Sequence, residues 1–162
     1  MTGMGPGGPG HRELLAMAEG LAAKARQWSG IEGIETRCWE LMAASATSEA
    51  WVIGWPPGGT IDLHDHGNSA GAVVVARGEL VETTVAELLD GAVTTTRRRM
   101  STGSSWSMAS RHVHDIVNDG PAAAVSVHVY APRLTAMTNY RLDDGVLLPG
   151  KTVHYRLGDV VP

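Results

Sequence analysis

From Glu49 onward, short apolar runs alternate with turn-forming residues. The runs are Ala50 to Trp55, Thr60 to His66, Ala72 to Arg77, Glu79 to Glu87, Ala92 to Arg99, Ser105 to Met108, His112 to Asn118, Ala123 to Tyr130 and Val153 to Leu157. Between them fall Pro56-Pro57-Gly58-Gly59, Gly67-Asn68, Gly78, Asp90-Gly91, Gly103 and Asn118-Asp119-Gly120-Pro121. Val, Ile, Thr and Trp fit a pleated, half-buried surface, and Gly, Pro, Asn and Asp punctuate it. Many short strands at regular spacing predict an all-β fold, an antiparallel sandwich or barrel.

The N-terminal third is different. Leu14, Leu15, Ala18, Leu21, Ala22 and Ala25 recur at helical spacing and predict an amphipathic helix over Arg12 to Trp28. Ser29 to Gly33 ends it, and Cys38 to Ala44 suits either a second helix or a strand. The Gly- and Pro-rich stretch 1–10 is expected to be disordered. Residues 11–162 then form one domain, with no linker inside it.

Composition narrows the function classes. The net charge is −4 and the pI near 5.9, so nothing recruits nucleic acid or an anionic membrane. Arg97-Arg98-Arg99 is expected at a solvated turn or strand edge. Cys38 is the only cysteine, which excludes a disulfide within the chain, and it is assigned a structural role. Without an apolar leader segment or a run of ~20 apolar residues, a cytoplasmic location is expected.

The chemistry concentrates at Gly58-Gly-Thr-Ile-Asp-Leu-His64-Asp-His66-Gly67. Side chains at i and i+2 of a strand share a face, so His64 and His66 project together while Asp65 points away. Two adjacent imidazoles make half of a transition-metal site. His114 is placed to complete it. His112 is the weaker alternative, because only His114 is followed at the right distance by Asn118. His11 and His154 are assigned no role.

The spacing Gly58-x5-His64-x-His66, then Gly71 and Gly78, then Gly103 and His114-x3-Asn118 resembles the two-part signature of the cupin superfamily. That resemblance covers about Trp51 to Pro132 and implies a double-stranded β-helix, or jelly-roll barrel. Two departures matter. The Glu of the first motif is missing, its place falling at Ala70 or Gly71, and the Pro-x-Gly of the second reads Ala109-Ser110-Arg111. Three neutral imidazoles leave a divalent metal with its full charge, which favours an anionic ligand from the substrate.

Val125-Ser126-Val127-His128-Val129-Tyr130 alternates strictly, so Ser126, His128 and Tyr130 share one face. Together with His64-Asp-His66-Gly, Gly78-Glu-Leu-x-Glu82, His114-x3-Asn118 and Pro121, this strand resembles cysteine dioxygenase and related thiol dioxygenases of bacterial type. The resemblance implies Fe²⁺ held by His64, His66 and His114. It implies Tyr130 as the active-site phenol, with His128 and Ser126 behind it, and a cis Ala131-Pro132 bond. Animal members crosslink a cysteine to the tyrosine; Gly71 occupies that position, so no crosslink is expected. Arg37 is the best-placed arginine for the substrate carboxylate, with Arg111, Arg133 and Arg141 as alternatives.

The resemblance therefore implies an iron(II) thiol dioxygenase that takes a small thiol and O₂ to a sulfinate, as a monomer or homodimer. Two other readings stand beside it: a metal-cupin dioxygenase for a non-thiol substrate, and a non-catalytic small-molecule-binding cupin.

Overall fold

The computed structural model describes residues 8–156 and residue 159. Of the disorder expected over 1–10, residues 1–7 lie outside the described residues. One helix, α1 (His11–Arg26), and a short 3₁₀ turn (Ser29–Ile31) precede the strands. These are β1 (Cys38–Ala44), β2 (Glu49–Trp55), β3 (Thr60–His64), β4 (Ala70–Arg77), β5 (Glu79–Glu87), β6 (Val93–Ser101), β7 (Ser105–Met108), β8 (Val113–Val117), β9 (Ala124–Ala131), β10 (Ala136–Asp143) and β11 (Val146–His154). They build two antiparallel sheets, ordered β1-β2-β9-β4-β7 and β11-β10-β3-β8-β5-β6.

The period of two explains both cores. Trp51, Ile53, Trp55, Val73, Val75, Leu80, Trp106, Ile116 and Tyr130 fill one cluster between the sheets. Val52, Val74, Val125, Val127 and Val129 turn to the other face, where Leu14, Ala18 and Ala25 of α1 cover them. Every residue of β9 is buried as a result. Its Val face meets the helix and its Ser-His-Tyr face meets the interior. Leu14 has no solvent exposure, and truncation to Ala would cost about 2–5 kcal/mol.

Several elements differ from the sequence-based expectation. The ambiguous segment Cys38–Ala44 is a strand, paired antiparallel to β2. The helix stops at Arg26, with its first turn tied by the Gly10 amide donating to Glu13 Oε2 at 2.7 Å. The strand expected over Val153 to Leu157 is instead the end of a hairpin, β10–β11, that begins at Ala136; Leu157 lies outside the described residues. That hairpin turns on Asp144 and Gly145, both at positive φ. Pro149 is tolerated because β11 is an edge strand, near an irregularity in the pairing between Thr138 and Tyr140.

The three arginines lie on the edge strand β6, as expected, but their charges are taken. Arg99 meets Glu79 and Asp119, Arg97 meets Asp119, and Arg98 meets the buried Glu82.

Candidate metal centre

His64 ends β3, and its register partner on β8 is His114. The two histidine-bearing segments of the sequence are thus neighbours in one sheet. The strand expected to run through His66 stops at His64, so His66 lies two residues beyond β3, in the connection that follows it. Asp65 shapes that turn. Its carboxylate accepts from the amides of Gly67 and Thr138 at 3.0 and 3.3 Å and from the Tyr140 hydroxyl at 2.8 Å. So Asp65 does point away from the pair, and it holds the chain that returns His66 to the cluster.

The three rings converge. Centroids lie 4.7 Å apart for His64 and His114, 4.8 Å for His64 and His66, and 5.2 Å for His66 and His114. One nitrogen from each falls within 4.8 Å of the others, and all three side chains are buried. Nε2 of His64 and Nε2 of His66 are 3.2 Å apart. Nitrogens bound ~2.1 Å from one ion at right angles lie about 3 Å apart.

Hydrogen bonds at the far nitrogens decide which lone pairs face inward. His64 Nδ1 donates to the Asp62 carbonyl at 2.7 Å, and a carbonyl can only accept. His114 Nδ1 donates to Glu82 Oε1, also at 2.7 Å. The Nε2 atoms are thereby turned inward, and among the described residues that of His114 is buried with no partner. Burial first, then the neighbouring histidines, pushes His64 and His66 well below the ordinary histidine range, so they are neutral at pH 7. Neutral buried imidazoles with an unpaired, inward-facing lone pair suit a divalent cation.

Glu82 stands behind this cluster. Its side chain has no exposure, yet it accepts from His114, from Trp106 Nε1 at 3.1 Å and from Arg98 Nε at 2.8 Å. Burial alone would raise its pKa; the His114 bond and the Arg98 guanidinium outweigh this and hold it below the usual carboxylate range. His112 packs beside His114 at 5.3 Å and faces Glu82 rather than the His64–His66 pair. Of the two candidates, His114 is the one the fold brings to that pair.

On the opposite sheet, Ser126, His128 and Tyr130 form one hydrogen-bonded line. Ser126 Oγ meets His128 Nε2 at 2.9 Å, His128 Nδ1 meets the Tyr130 hydroxyl at 3.2 Å, and that hydroxyl lies 3.3 Å from His66 Nε2. Burial pushes His128 down to about 3 and raises the Tyr130 phenol. Trp55, on β2, donates from Nε1 to Ser126 Oγ at 2.8 Å. Gly71 pairs with Tyr130 across β4 and β9, and offers no sulfur to it. The Ala131-Pro132 bond is cis.

Arg37 precedes β1 and stacks its guanidinium over Trp39 and Trp55, at 5.2 and 5.4 Å. Its charge acts on His64, His128 and Tyr130. The alternative arginines are placed differently. Arg133 is bound to the buried Glu49, and Arg141 is an exposed partner of Asp143. Arg111 is exposed at positive φ, its amide donating to the Gly67 carbonyl. Asn118, which flagged the second motif, clasps a turn: its Nδ2 donates to the carbonyls of Trp55 and Ala122. Cys38 packs its sulfur toward the Gly30 carbonyl at 3.6 Å.

The sequence model of cysteine dioxygenase type I matches residues 12–142. The chain belongs to that family. Solved structures agree on the fold. Oxalate oxidase in complex with its substrate analogue glycolate is 17% identical with a TM-score of 0.55, over 65% of this chain and 56% of that one. The TT1209 protein of Thermus thermophilus is 20% identical with a TM-score of 0.51, over 61% of this chain and 86% of that one. The cupin domain of Cnp3 from Schizosaccharomyces pombe is 16% identical with a TM-score of 0.50, over 59% and 64%. The chain is a cupin of the cysteine dioxygenase family whose three-histidine cluster can hold a metal ion. Among the described residues, no helix is long and apolar enough to cross a membrane.

Proposed function

We propose that this chain is an iron(II)-dependent thiol dioxygenase that oxidises cysteine, or a close thiol acid, to its sulfinate. Both atoms of O₂ end on the sulfur, so thiol plus O₂ accounts for the whole sulfinic acid. The observation that carries the reading is the convergence of three buried imidazoles beside a tyrosine that hydrogen bonds hold against His66. Iron, when bound, supplies the one-electron chemistry that lets O₂ react with a thiolate.

The residues would divide the remaining work. His64, His66 and His114 would hold the metal on one side and bring no negative charge to it, which leaves the thiolate as the favoured anion. Arg37 would take the substrate carboxylate through its fork of N–H donors. Tyr130 would keep its proton, because burial raises its pKa, and present a hydrogen bond to the reacting atoms. His128 and Ser126 would hold that hydroxyl in place. The surrounding Trp, Val and Met side chains keep the site dry.

A storage or sensing barrel has no use for an oriented phenol, so the relay favours catalysis over simple binding. The test is anaerobic loading with Fe²⁺, then O₂ uptake with cysteine, 3-mercaptopropionate and a diketone side by side. Sulfinate formed in step with O₂ consumed supports the proposal. Uptake with the diketone alone, or with none of the three, sinks it.

A further inference from the structure

We propose that Tyr155 is a second recognition group for the substrate carboxylate, its hydroxyl donating to one carboxylate oxygen while Arg37 takes the other. The inference rests on the thiol-dioxygenase reading of the site. It deepens that reading by naming a residue that selects thiol acids over thiols without a carboxylate.

Tyr155 follows directly on β11, and the fold returns it to the site. β10 lies beside β3, with Asn139 in register with His64. β11 pairs with β10, so that Ala136 faces His154. One step further, the Tyr155 amide donates to the Thr135 carbonyl at 2.8 Å. Only Ala131 to Leu134 separate Thr135 from Tyr130. The Tyr155 ring packs, half-buried, against the cluster between the sheets that holds Trp55, Tyr130, Leu134 and Met137.

Arg37 reaches the same cluster through its two tryptophans. It stacks on Trp39 and Trp55, and Trp39 packs against that cluster beside Tyr155. Among the described residues, no carboxylate lies within ion-pair reach of its guanidinium. A half-buried guanidinium without an anion is a place for one. Burial lowers the pKa of Arg37, and the phenols of Tyr130 and Tyr155 are the two groups that oppose this. All three polar groups therefore stand near one another.

Of the three tyrosines, Tyr155 is the one whose hydroxyl is free to change partner. Tyr130 meets His128, and Tyr140 donates to Asp65. Among the described residues, the hydroxyl of Tyr155 has only the Met137 sulfur, at 3.6 Å. A thioether is a weak acceptor, and a carboxylate is a strong one. Burial raises the Tyr155 phenol above its ordinary value, so it keeps its proton at neutral pH and can donate. A carboxylate has two oxygens and can serve the arginine fork and a phenol together. A thiol amine offers neither group an acceptor.

Binding tests this without turnover. The Fe²⁺-loaded protein is titrated anaerobically with 3-mercaptopropionate and with 2-aminoethanethiol, read by calorimetry. Tyr155→Phe keeps the half-buried ring and removes one oxygen. Its Kd for the thiol acid should rise roughly tenfold, the loss of one charge-assisted hydrogen bond. Its Kd for the thiol amine should stay within about twofold of the wild type, which also shows that the variant is folded and loaded. Equal weakening for both ligands overturns the inference, because it makes Tyr155 a wall of the site and not a donor. Unchanged affinity for the thiol acid overturns it as well, and leaves the thiol-dioxygenase reading standing. A wild-type protein that binds neither thiol sinks that reading and this inference with it.

Discussion

Glu82 accepts a hydrogen bond from the imidazole of His114 at 2.7 Å, and neither side chain has any solvent exposure. The glutamate absent from the first cupin motif is thus answered by one that reaches a histidine from β5, one bond removed from the metal site. It fixes the ring so that Nε2 faces inward, and it makes the imidazole a stronger donor to a cation. Glu82→Gln should weaken metal binding about 10–100-fold, measured by titrating the metal-free protein with Co²⁺ or Fe²⁺. Glu82→Ala should also lower stability by roughly 2–4 kcal/mol, because His114 Nδ1 and Trp106 Nε1 both lose their buried acceptor. Unchanged affinity in the Gln variant would detach Glu82 from the metal site.

His64→Ala removes one of three ligands and one of the two lone pairs that approach within 3.2 Å. The variant should fail to retain iron after anaerobic loading and desalting, by metal analysis. It should also fold, since the cavity is small and a buried lone pair has been removed with the ring. Full occupancy would move the metal elsewhere.

Much of this was written in local pattern. His64-x-His66 and the alternation over Val125 to Tyr130 fix which side chains share a face, because a strand repeats every two residues. That both faces of β9 are buried was not legible, since it depends on α1 folding back over the Val face. The hairpin β10–β11 carried a turn signal in Asp143-Asp144-Gly145, but Pro149-Gly150 breaks its second strand in sequence. The edge position that tolerates Pro149 exists only once the sheet is assembled. Glu82 stood in a recognised stretch without a role, because its partners Arg98, Trp106 and His114 come from three other strands. Trp55 was visible only as an apolar residue; nothing local says that its N–H meets Ser126, 71 positions away.

Arg37 lies against the two tryptophans on the barrel side that also carries His128 and Tyr130. Losing a charge-assisted hydrogen bond to a substrate carboxylate costs about 1.5–3 kcal/mol, so Arg37→Ala should raise KM for cysteine roughly 10–100-fold. For a thiol amine without a carboxylate, KM should stay within about twofold of the wild type. A rise of the same size for both substrates would mean that the arginine supports the wall and not the ligand.

Tyr130→Phe removes one oxygen and leaves the ring against His66 at its present 4.8 Å. Metal should be retained. Loss of a single preorganised donor should lower kcat by about 10²-fold with cysteine as substrate. Undiminished turnover would take the phenol out of the chemistry.

Acid should destabilise the metal-free protein through its buried histidines before the carboxylates titrate, His64 and His66 beside His128. Burial lowers this histidine from 6.5 to about 3, so below pH 6.5 the unfolded chain binds a proton that the folded one refuses. Stability rises with pH wherever the unfolded state holds more protons. The contribution of His128 is therefore complete above pH 6.5 and is lost as pH falls from there toward about 3. Glu82, held below the usual carboxylate range, adds its own loss only below about 4.5. Urea unfolding of the metal-free protein across pH 7 to 4.5 should show stability falling with acid. His128→Gln, which stays polar but does not titrate, should have lower stability at pH 7 and a shallower slope over the same interval. An equal slope in both proteins would assign the acid sensitivity to other groups, His64 and His66 first among them.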